Sequence, residues 1–294
     1  MRRDEAERWT RQLARSHYEN FLVVSWLLPR RLHQPMFNVY AYCRTVDDLG
    51  DEAEGDRLAL LGDWERQLDD CFQGDAATHP VFAALGETIR QHNLPIEPFR
   101  DLIQANRQDQ TVSQYDTYAE LLDYCRHSAN PVGRLVLMLF GYRDEERFAL
   151  SDATCTALQL ANFWQDVVRD YQLGRIYIPL EDMRSFECGE AELASGTASA
   201  AWQALMAFEV ERTWGLFRTG EQLIPLVQRR LQVDLQLFTL GGLEVLRRIE
   251  AQEYDVLSRR PTVGVWRQIG LLARALVSTL RQPSHRLSEA PRAQ

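Results

Sequence analysis

Hydrophobic residues recur at three- and four-residue steps along most of the chain, and this spacing predicts amphipathic α-helices. No stretch alternates apolar and polar residues between hairpin signals, so no β-sheet is predicted. We expect Pro35 to open a helix that runs to Asp51, Pro95 to open another, and Ser151 to cap a helix ending near Tyr171. Further helices are predicted over 4–15, 17–28, 56–73, 115–140, 200–219, 234–258 and 262–281.

The helical pattern lapses between Gly174 and Ser199, where Pro, Gly and Ser residues predict a long loop. The polar tail over 282–294 is expected to be disordered. No change in composition marks a domain boundary, so residues 1–281 are predicted to form one all-α domain. No apolar run approaches the ~20 residues that a membrane-spanning helix needs.

Composition and charge narrow the class of protein. The chain has 294 residues with 45% hydrophobic content, enough for one large core, and its formal charge of -9 argues against a nucleic-acid partner. All 33 basic residues are Arg, so Schiff-base chemistry and a P-loop lysine are excluded, and an anion must be held by Arg, backbone N–H groups or metal. Five scattered cysteines and an N-terminus without an apolar segment predict a reduced, cytoplasmic protein.

Two pairs of aspartates stand four residues apart. Asp47 and Asp51 form the first pair, and Asp166 and Asp170 form the second. On a helix this spacing places both carboxylates on one face, where two like charges repel and call for a cation. One such pair is usually a solvated surface feature, but both pairs here stand in apolar stretches, where an uncompensated charge is costly.

The residues around the pairs favour magnesium and a diphosphate. Gln159 and Asn162 share the face of the second pair. Oxygen ligands that fill only part of an octahedral shell, leaving the rest to water and phosphate, suit Mg²⁺. Arg44, Arg169 and Arg175 are placed to contact phosphate oxygens, although Arg44 and Arg169 also stand where they would neutralise neighbouring aspartates.

The order of motifs along the chain resembles the squalene/phytoene synthase family from about residue 15 to residue 260. The resemblance rests on these segments: His17 to Phe21, Trp26 to Pro29, Tyr40 to Asp51, Tyr124-Cys125, Val132-Gly133, Gln159 to Asp170, and Arg175 to Pro179. It implies an isoprenoid-synthase-type helical bundle in which the two aspartate-bearing helices face each other across a central cavity.

The resemblance also implies roles for individual residues. It assigns the metal–diphosphate cluster to Asp47, Asp51, Asn162, Asp166 and Asp170, with Mg²⁺ as the cofactor. It assigns Arg44 and Arg175 to the diphosphate, and it places Tyr124 near the reacting carbons.

Several positions depart from the usual family pattern. Gln165 replaces an Arg, Ser128 to Gly133 replaces a Gly-rich motif, Gly242 replaces a Tyr, and Tyr18 and Asn20 stand near the position of phosphate-contacting serines. These departures resemble the hydroxysqualene synthase branch of bacterial hopanoid biosynthesis. The implied reaction removes diphosphate from presqualene diphosphate and lets water capture the rearranged cation.

Such a reaction needs an electron-rich wall for the cation and one positioned water. Candidates for the wall are Phe21, Trp26, Tyr40, Phe163 and Trp164, at least half of which we expect to be ordinary core residues. Candidates for holding the water are His17, Glu19 and Tyr124. The full substrate-binding set is Arg44, Arg175, Asn20, Gln159, Phe21 and Phe163, and the catalytic set is Tyr124, His17, Glu19 and Tyr40.

Two alternatives to this reaction remain at this point. One is a head-to-head condensing enzyme of the same fold, and the other is a non-enzymatic helical scaffold whose aspartates are solvated. An isoprenoid diphosphate is the expected substrate, and an enzyme that makes presqualene diphosphate is the expected upstream partner.

A long apolar substrate also favours peripheral membrane attachment. The stripe Trp266, Ile269, Ala273, Leu276 and Leu280, with Arg267, Arg274 and Arg281 on another face, is the candidate anchor, and packing of this stripe on the core is the favoured alternative.

Overall fold

The computed structural model describes residues 2–16, 28–75 and 77–262. Within these residues the chain is helical, and its one β-type contact is an isolated parallel bridge between Gln114 and Ile176. The helices are α1 (Arg3–Ser16), α2 (Arg30–Asp51), α3 (Arg57–Gln73), α4 (Pro80–His92), α5 (Glu97–Gln108), α6 (Tyr118–Ser128), α7 (Asn130–Leu139), α8 (Glu145–Gln172), α9 (Leu180–Ser185), α10 (Glu190–Ser195), α11 (Ala200–Gly220), a 3₁₀ helix (Glu221–Leu226) and α12 (Arg229–Ala251). The all-α class predicted from the sequence is confirmed.

Side-chain caps fix where several helices begin. Asp56, Asp144 and Ser199 each accept a hydrogen bond from the backbone N–H three residues further on, at the starts of α3, α8 and α11. Thr117 and Glu120 form a reciprocal capping box at the start of α6. These bonds satisfy N–H groups that have no partner inside the helix.

Two predicted helix starts are wrong. Pro35 lies inside α2, which begins at Arg30 directly after Pro29, because burial of the surrounding first turns outweighs the one backbone bond that Pro35 removes. Ser151 lies inside α8, which begins after Asp144, since that cap and two glutamates in the first turn form the stronger start signal. Ser151 is buried instead.

Other boundaries also differ from the prediction. The stretch predicted as one helix over 115–140 is two helices that meet at Ala129, because Pro131 at the start of α7 has no N–H to continue the ladder. The predicted loop over 174–199 contains the short helices α9 and α10. Helix α4, opened by Pro80, is absent from the prediction.

The buried residues form two hydrophobic clusters. The first cluster, which includes Tyr42 and Phe82, joins α2 to α3, α4, α5 and α7. The second cluster, which includes Trp164 and Trp202, joins α8 to α6, α11 and α12. Each cluster therefore carries one of the two aspartate-bearing helices.

Over the described residues, no helix combines the length and the apolar composition needed to cross a bilayer. The candidate anchor over 266–281 and the predicted tail over 282–294 lie outside the described residues, as does most of the helix predicted over 17–28.

Candidate active site

The first aspartate pair occupies the last turns of α2. Asp47 is reachable by solvent yet surrounded by protein on most sides, which is the setting of a carboxylate in a cleft. This burial raises the pKa of Asp47 to about 7, although Asn106 Nδ2 donates a long hydrogen bond of 3.4 Å to its Oδ1 and works in the opposite direction. Asp51 is exposed, and its Oδ1 lies 3.1 Å from Arg175 Nη2.

The second pair lies near the end of α8. Asp166 is bound by Arg260, whose Nε and Nη2 contact its two carboxylate oxygens. Burial, followed by the charge of Asp166, raises the pKa of Asp170 to about 7. Each pair therefore combines one arginine-paired aspartate with one aspartate of raised pKa.

Arg175 links the two pairs. It follows α8 and contacts Asp51 of the first pair. Its charge also acts on Asp170 of the second pair, where it opposes the rise in pKa that burial and Asp166 cause. Burial works against the Arg175 charge, but the neighbouring Tyr177, Asp109 and Asp51 outweigh it and raise the Arg175 pKa. This guanidinium is thus placed between carboxylates on α2 and α8, two helices that pack in different hydrophobic clusters.

Four aromatic side chains, Tyr115, Tyr124, Phe163 and Tyr177, form a group beside Arg175. Phe163 and Tyr177 are stacked with ring centroids 3.8 Å apart and an interplanar angle of 7°. The Tyr124 ring lies 6.2 Å from Phe163 and 6.0 Å from Tyr177, while Tyr115 lies 5.5 Å from Tyr124. These rings present an apolar, electron-rich surface next to the acidic residues.

Asp109, directly after α5, connects this aromatic group to the charged residues. Tyr124 Oη donates a hydrogen bond of 2.8 Å to Asp109 Oδ2. Burial raises the pKa of Asp109 to about 6, with the Tyr124 hydrogen bond and the Arg175 charge working in the opposite direction. Burial also raises the Tyr124 pKa well above its ordinary value, so its hydroxyl stays protonated.

The remaining predicted site residues do not form a single group. Arg44 Nη2 contacts Asp48 at 2.5 Å and Glu52 at 2.9 Å, so in this structure it neutralises one acid on its own helix and one directly after it. Asn162 is exposed on the face of α8 that carries the second pair, and Gln159 is half-buried one turn earlier. Tyr40 is half-buried, and burial raises its pKa.

Trp164, a candidate for the cation wall, is a core residue. It is fully buried, and its Nε1 donates a 2.8 Å hydrogen bond to Thr213. Five further candidates, His17, Glu19, Asn20, Phe21 and Trp26, lie outside the described residues.

Five residues of the site have no assigned role in the sequence analysis: Asn106, Asp109, Tyr115, Tyr177 and Arg260. Asn106 reaches Asp47 across 59 positions of sequence, and Arg260 reaches Asp166 across 94. Neither carries a local spacing signal. Asp109 follows an amphipathic helix and precedes the Tyr124 motif, but a lone carboxylate there is indistinguishable from a surface residue.

The donor chemistry of the two pairs fits Mg²⁺, because carboxylate and amide oxygens are hard ligands and two of the carboxyl groups sit in surroundings that penalise their charge without a cation. Among the described residues, no three His, Cys, Asp or Glu side chains lie close enough to enclose a metal ion alone. A metal bound here would therefore take further oxygens from water or from a phosphate ligand.

Comparison with known sequences gives a consistent result. The profile of the squalene/phytoene synthase family matches residues 14–267. A phytoene synthase of Arthrospira platensis is 31% identical, with 91% of each chain covered. A 15-cis-phytoene synthase of Synechococcus elongatus is also 31% identical, with 93% of each chain covered.

Solved structures show the same architecture. The structure described as squalene synthase HpnC from Alicyclobacillus acidocaldarius is 50% identical, with a TM-score of 0.82 over 85% of this chain and 95% of that one. A dehydrosqualene synthase in complex with a ligand is 27% identical, with a TM-score of 0.86 over 95% of this chain and 98% of that one. The helices of the described residues thus follow an isoprenoid-synthase arrangement.

Proposed function

Because this chain belongs to the squalene/phytoene synthase family, whose members are enzymes acting on prenyl diphosphates, we propose that it converts presqualene diphosphate and water into hydroxysqualene and diphosphate. In this reaction it is a diphosphate-eliminating lyase of hopanoid biosynthesis. The departures from the family pattern at Gln165, Gly242 and Ser128 to Gly133 support this reaction. The chain is also more similar to the structure described as squalene synthase HpnC, at 50% identity, than to the phytoene synthases at 31%.

The observation that carries the specific reaction is the packing around Gly242. A Cβ atom at this position would overlap the Phe217 ring and lie 2.9 Å from Leu158 Cδ2. The tyrosine that family members usually carry here therefore has no room, and Phe217 fills the place beside α12. Gln165, the second departure, donates a 2.7 Å hydrogen bond to the Pro261 carbonyl oxygen. Relative to the usual family pattern, the first change removes a phenol and the second replaces a charged guanidinium with a neutral amide.

The charged residues act on the leaving group in this proposal. Arg175 and Arg260, which now neutralise Asp51 and Asp166, are positioned to pair with diphosphate oxygens once the aspartates take cations as partners. Asp47, Asp51, Asn162, Asp166 and Asp170 would hold Mg²⁺, with Arg44 nearby. When bound, the metal would stabilise the negative charge that develops on the departing diphosphate.

The aromatic group acts on the hydrocarbon. Phe163 and Tyr177 offer stacked ring faces within a buried wall, and such faces stabilise a carbocation while excluding water. Tyr124 is 4% exposed and places a hydroxyl within the same wall. It is therefore the described residue best placed to direct a single water to the cation.

A condensing activity is the second candidate, because the curated relatives at 31% identity are phytoene synthases. The test is to incubate the purified protein and Mg²⁺ with presqualene diphosphate or farnesyl diphosphate in ¹⁸O-labelled water. We expect labelled hydroxysqualene from presqualene diphosphate and no condensation product from farnesyl diphosphate. Condensation of farnesyl diphosphate without alcohol formation from presqualene diphosphate would establish the second candidate instead.

Peripheral membrane attachment is part of the proposal because the substrate is a long apolar chain. Leu173 supports it: this side chain is 66% exposed and lies two residues before Arg175, at the edge of the site. Flotation with anionic liposomes should show binding that Leu173→Ser weakens if this edge is the attachment surface. Loss of binding in Trp266→Ala/Leu280→Ala, with the fold retained, would place the anchor in the C-terminal segment.

A further inference from the structure

Asp109 has an unusual hydrogen-bonding arrangement. Its Oδ2 accepts the hydroxyl of Tyr124 at 2.8 Å, whereas its Oδ1 is buried and accepts no hydrogen bond from any residue in the described part of the chain. A buried carboxylate oxygen without a partner is costly, so a purely structural role leaves this side chain unexplained.

The surroundings keep the carboxylate available as a base. Arg175 favours the ionised form, and Asp51 is the one neighbouring acid that opposes it. The pKa of about 6 leaves Asp109 largely ionised at neutral pH, while Tyr124 remains a neutral phenol. The hydrogen between them therefore belongs to Tyr124 and points at Asp109, which leaves the phenol oxygen free to accept a hydrogen bond from elsewhere.

The other acids of the site are less suited to this task. Asp51 and Asp166 are bound by arginines, and Asp47 and Asp170 belong to the proposed metal cluster. Asp109 belongs to neither pair and contacts the aromatic group through Tyr124.

We propose that Asp109 is a positioning residue that accepts, through Tyr124, the proton released when water captures the carbocation. The water oxygen bonds to the cationic carbon, one water proton passes to Tyr124 Oη, and the Tyr124 hydroxyl proton passes to Asp109 Oδ2. The products are the alcohol and a neutral Asp109, which later returns its proton to solvent. This inference rests on the proposed function and extends it by naming the proton acceptor.

The test measures the ratio of alcohol to elimination hydrocarbon formed from presqualene diphosphate, together with total diphosphate release. Since a general base contributes about 10²–10⁴-fold, we expect Asp109→Asn and Tyr124→Phe each to lower this ratio by at least about tenfold while diphosphate release falls much less. The double variant should be no worse than either single variant, because both residues serve one relay. The wild-type ratio should fall as the pH drops through about 6, and the Asp109→Asn ratio should not change with pH.

Asp101→Asn is the matched control. Asp101 lies on α5, about two turns before Asp109, and is half-buried; burial raises its pKa too, and its charged neighbours His127, Arg126 and Arg134 are not part of the site. It should keep the wild-type ratio. An unchanged ratio and pH dependence in Asp109→Asn, or a loss of diphosphate release with the ratio intact, overturns the relay alone. Absence of alcohol from the wild-type enzyme overturns both the relay and the proposed function.

Discussion

The two aspartate pairs are neutralised in opposite order along their helices. In the first pair the leading residue, Asp47, has the raised pKa and the trailing residue, Asp51, has the arginine. In the second pair the leading residue, Asp166, has the arginine and the trailing residue, Asp170, has the raised pKa. Identical spacing in the sequence therefore yields two inverted electrostatic settings.

The two pairs also differ in which part of the molecule supplies the arginine. Asp166 is paired with Arg260, which reaches α8 from the segment after α12, and both helices contribute most of their clustered residues to the second hydrophobic cluster. Asp51 is paired with Arg175, which belongs to the far side of the site. The first pair thus depends on the second half of the molecule, whereas the second pair is neutralised from within its own half.

The largest expected effect tests whether both pairs are needed. Asp51→Ala and Asp166→Ala should each lower diphosphate release by at least about 100-fold at saturating Mg²⁺, because each removes a proposed metal ligand and a metal ion contributes several kcal/mol of charge stabilisation in the transition state. The folded state should survive, since the exposed Asp51 is in an ion pair of a kind that contributes about 0–1 kcal/mol, and deleting the half-buried Asp166 also relieves its repulsion with Asp170. Asp63→Ala removes a comparable exposed partner of Arg66 and should have no effect. Near-normal turnover in either site variant would remove that pair from the mechanism.

The next largest effect distinguishes the contribution of Arg175 to activity from that of Arg260. Arg175→Gln should reduce diphosphate release by about 100-fold, and Arg260→Gln by about tenfold, because only Arg175 acts on both pairs and single donors to a developing anion contribute on this scale. Arg184→Gln, which breaks an exposed pair with Asp116, is the control. A larger loss from Arg260→Gln would reverse the proposed asymmetry.

The pH dependence of the protein's stability provides a third test. The pKa values of Asp47 and Asp170 are about 7, above the ~4 of an unfolded aspartate, so the folded chain binds more protons than the unfolded chain between these values. The metal-free protein should therefore lose stability as the pH rises from about 4 through 7, and Mg²⁺ with inorganic diphosphate should restore it above pH 7. Thermal unfolding of wild type and Asp47→Asn across this range measures the effect. Identical pH dependence in the two proteins would contradict the raised Asp47 pKa.

The smallest effect compares two close-packed glycines. A Cβ at Gly50 would overlap the Asn106 side chain that donates to Asp47, whereas a Cβ at Gly242 would overlap the Phe217 ring. Both Gly→Ala variants should lose about 1–3 kcal/mol of stability by overpacking. Only Gly50→Ala should also raise the Mg²⁺ concentration needed for half-maximal activity. Gly241→Ala, where a Cβ meets nothing within 4 Å, is the control for both.

Local sequence signals were enough to predict the helical class, the two aspartate pairs and the nearby Arg175. Spacing within a helix needs no knowledge of the fold, and this is why Asp47 with Asp51 and Asp166 with Asp170 were found. Asn106 and Arg260 were not, because tertiary packing brings them to the site from 59 and 94 positions away. The helix start at Pro35 was wrong because burial of the surrounding turns outweighs the backbone bond that this proline removes, and the start at Ser151 was wrong because the stronger Asp144 cap lies upstream.

The contact between Arg175 and Asp51 spans 124 positions of sequence, and this separation has a consequence for folding kinetics. We expect a contact of such long sequence separation to close only after the intervening chain has collapsed, and we predict that the site is assembled after the rate-limiting barrier has been crossed. Ligands that bind the assembled site then stabilise the native state without stabilising the transition state. Mg²⁺ with diphosphate should accordingly slow unfolding while leaving the refolding rate unchanged, which would make this enzyme kinetically more durable whenever its site is occupied.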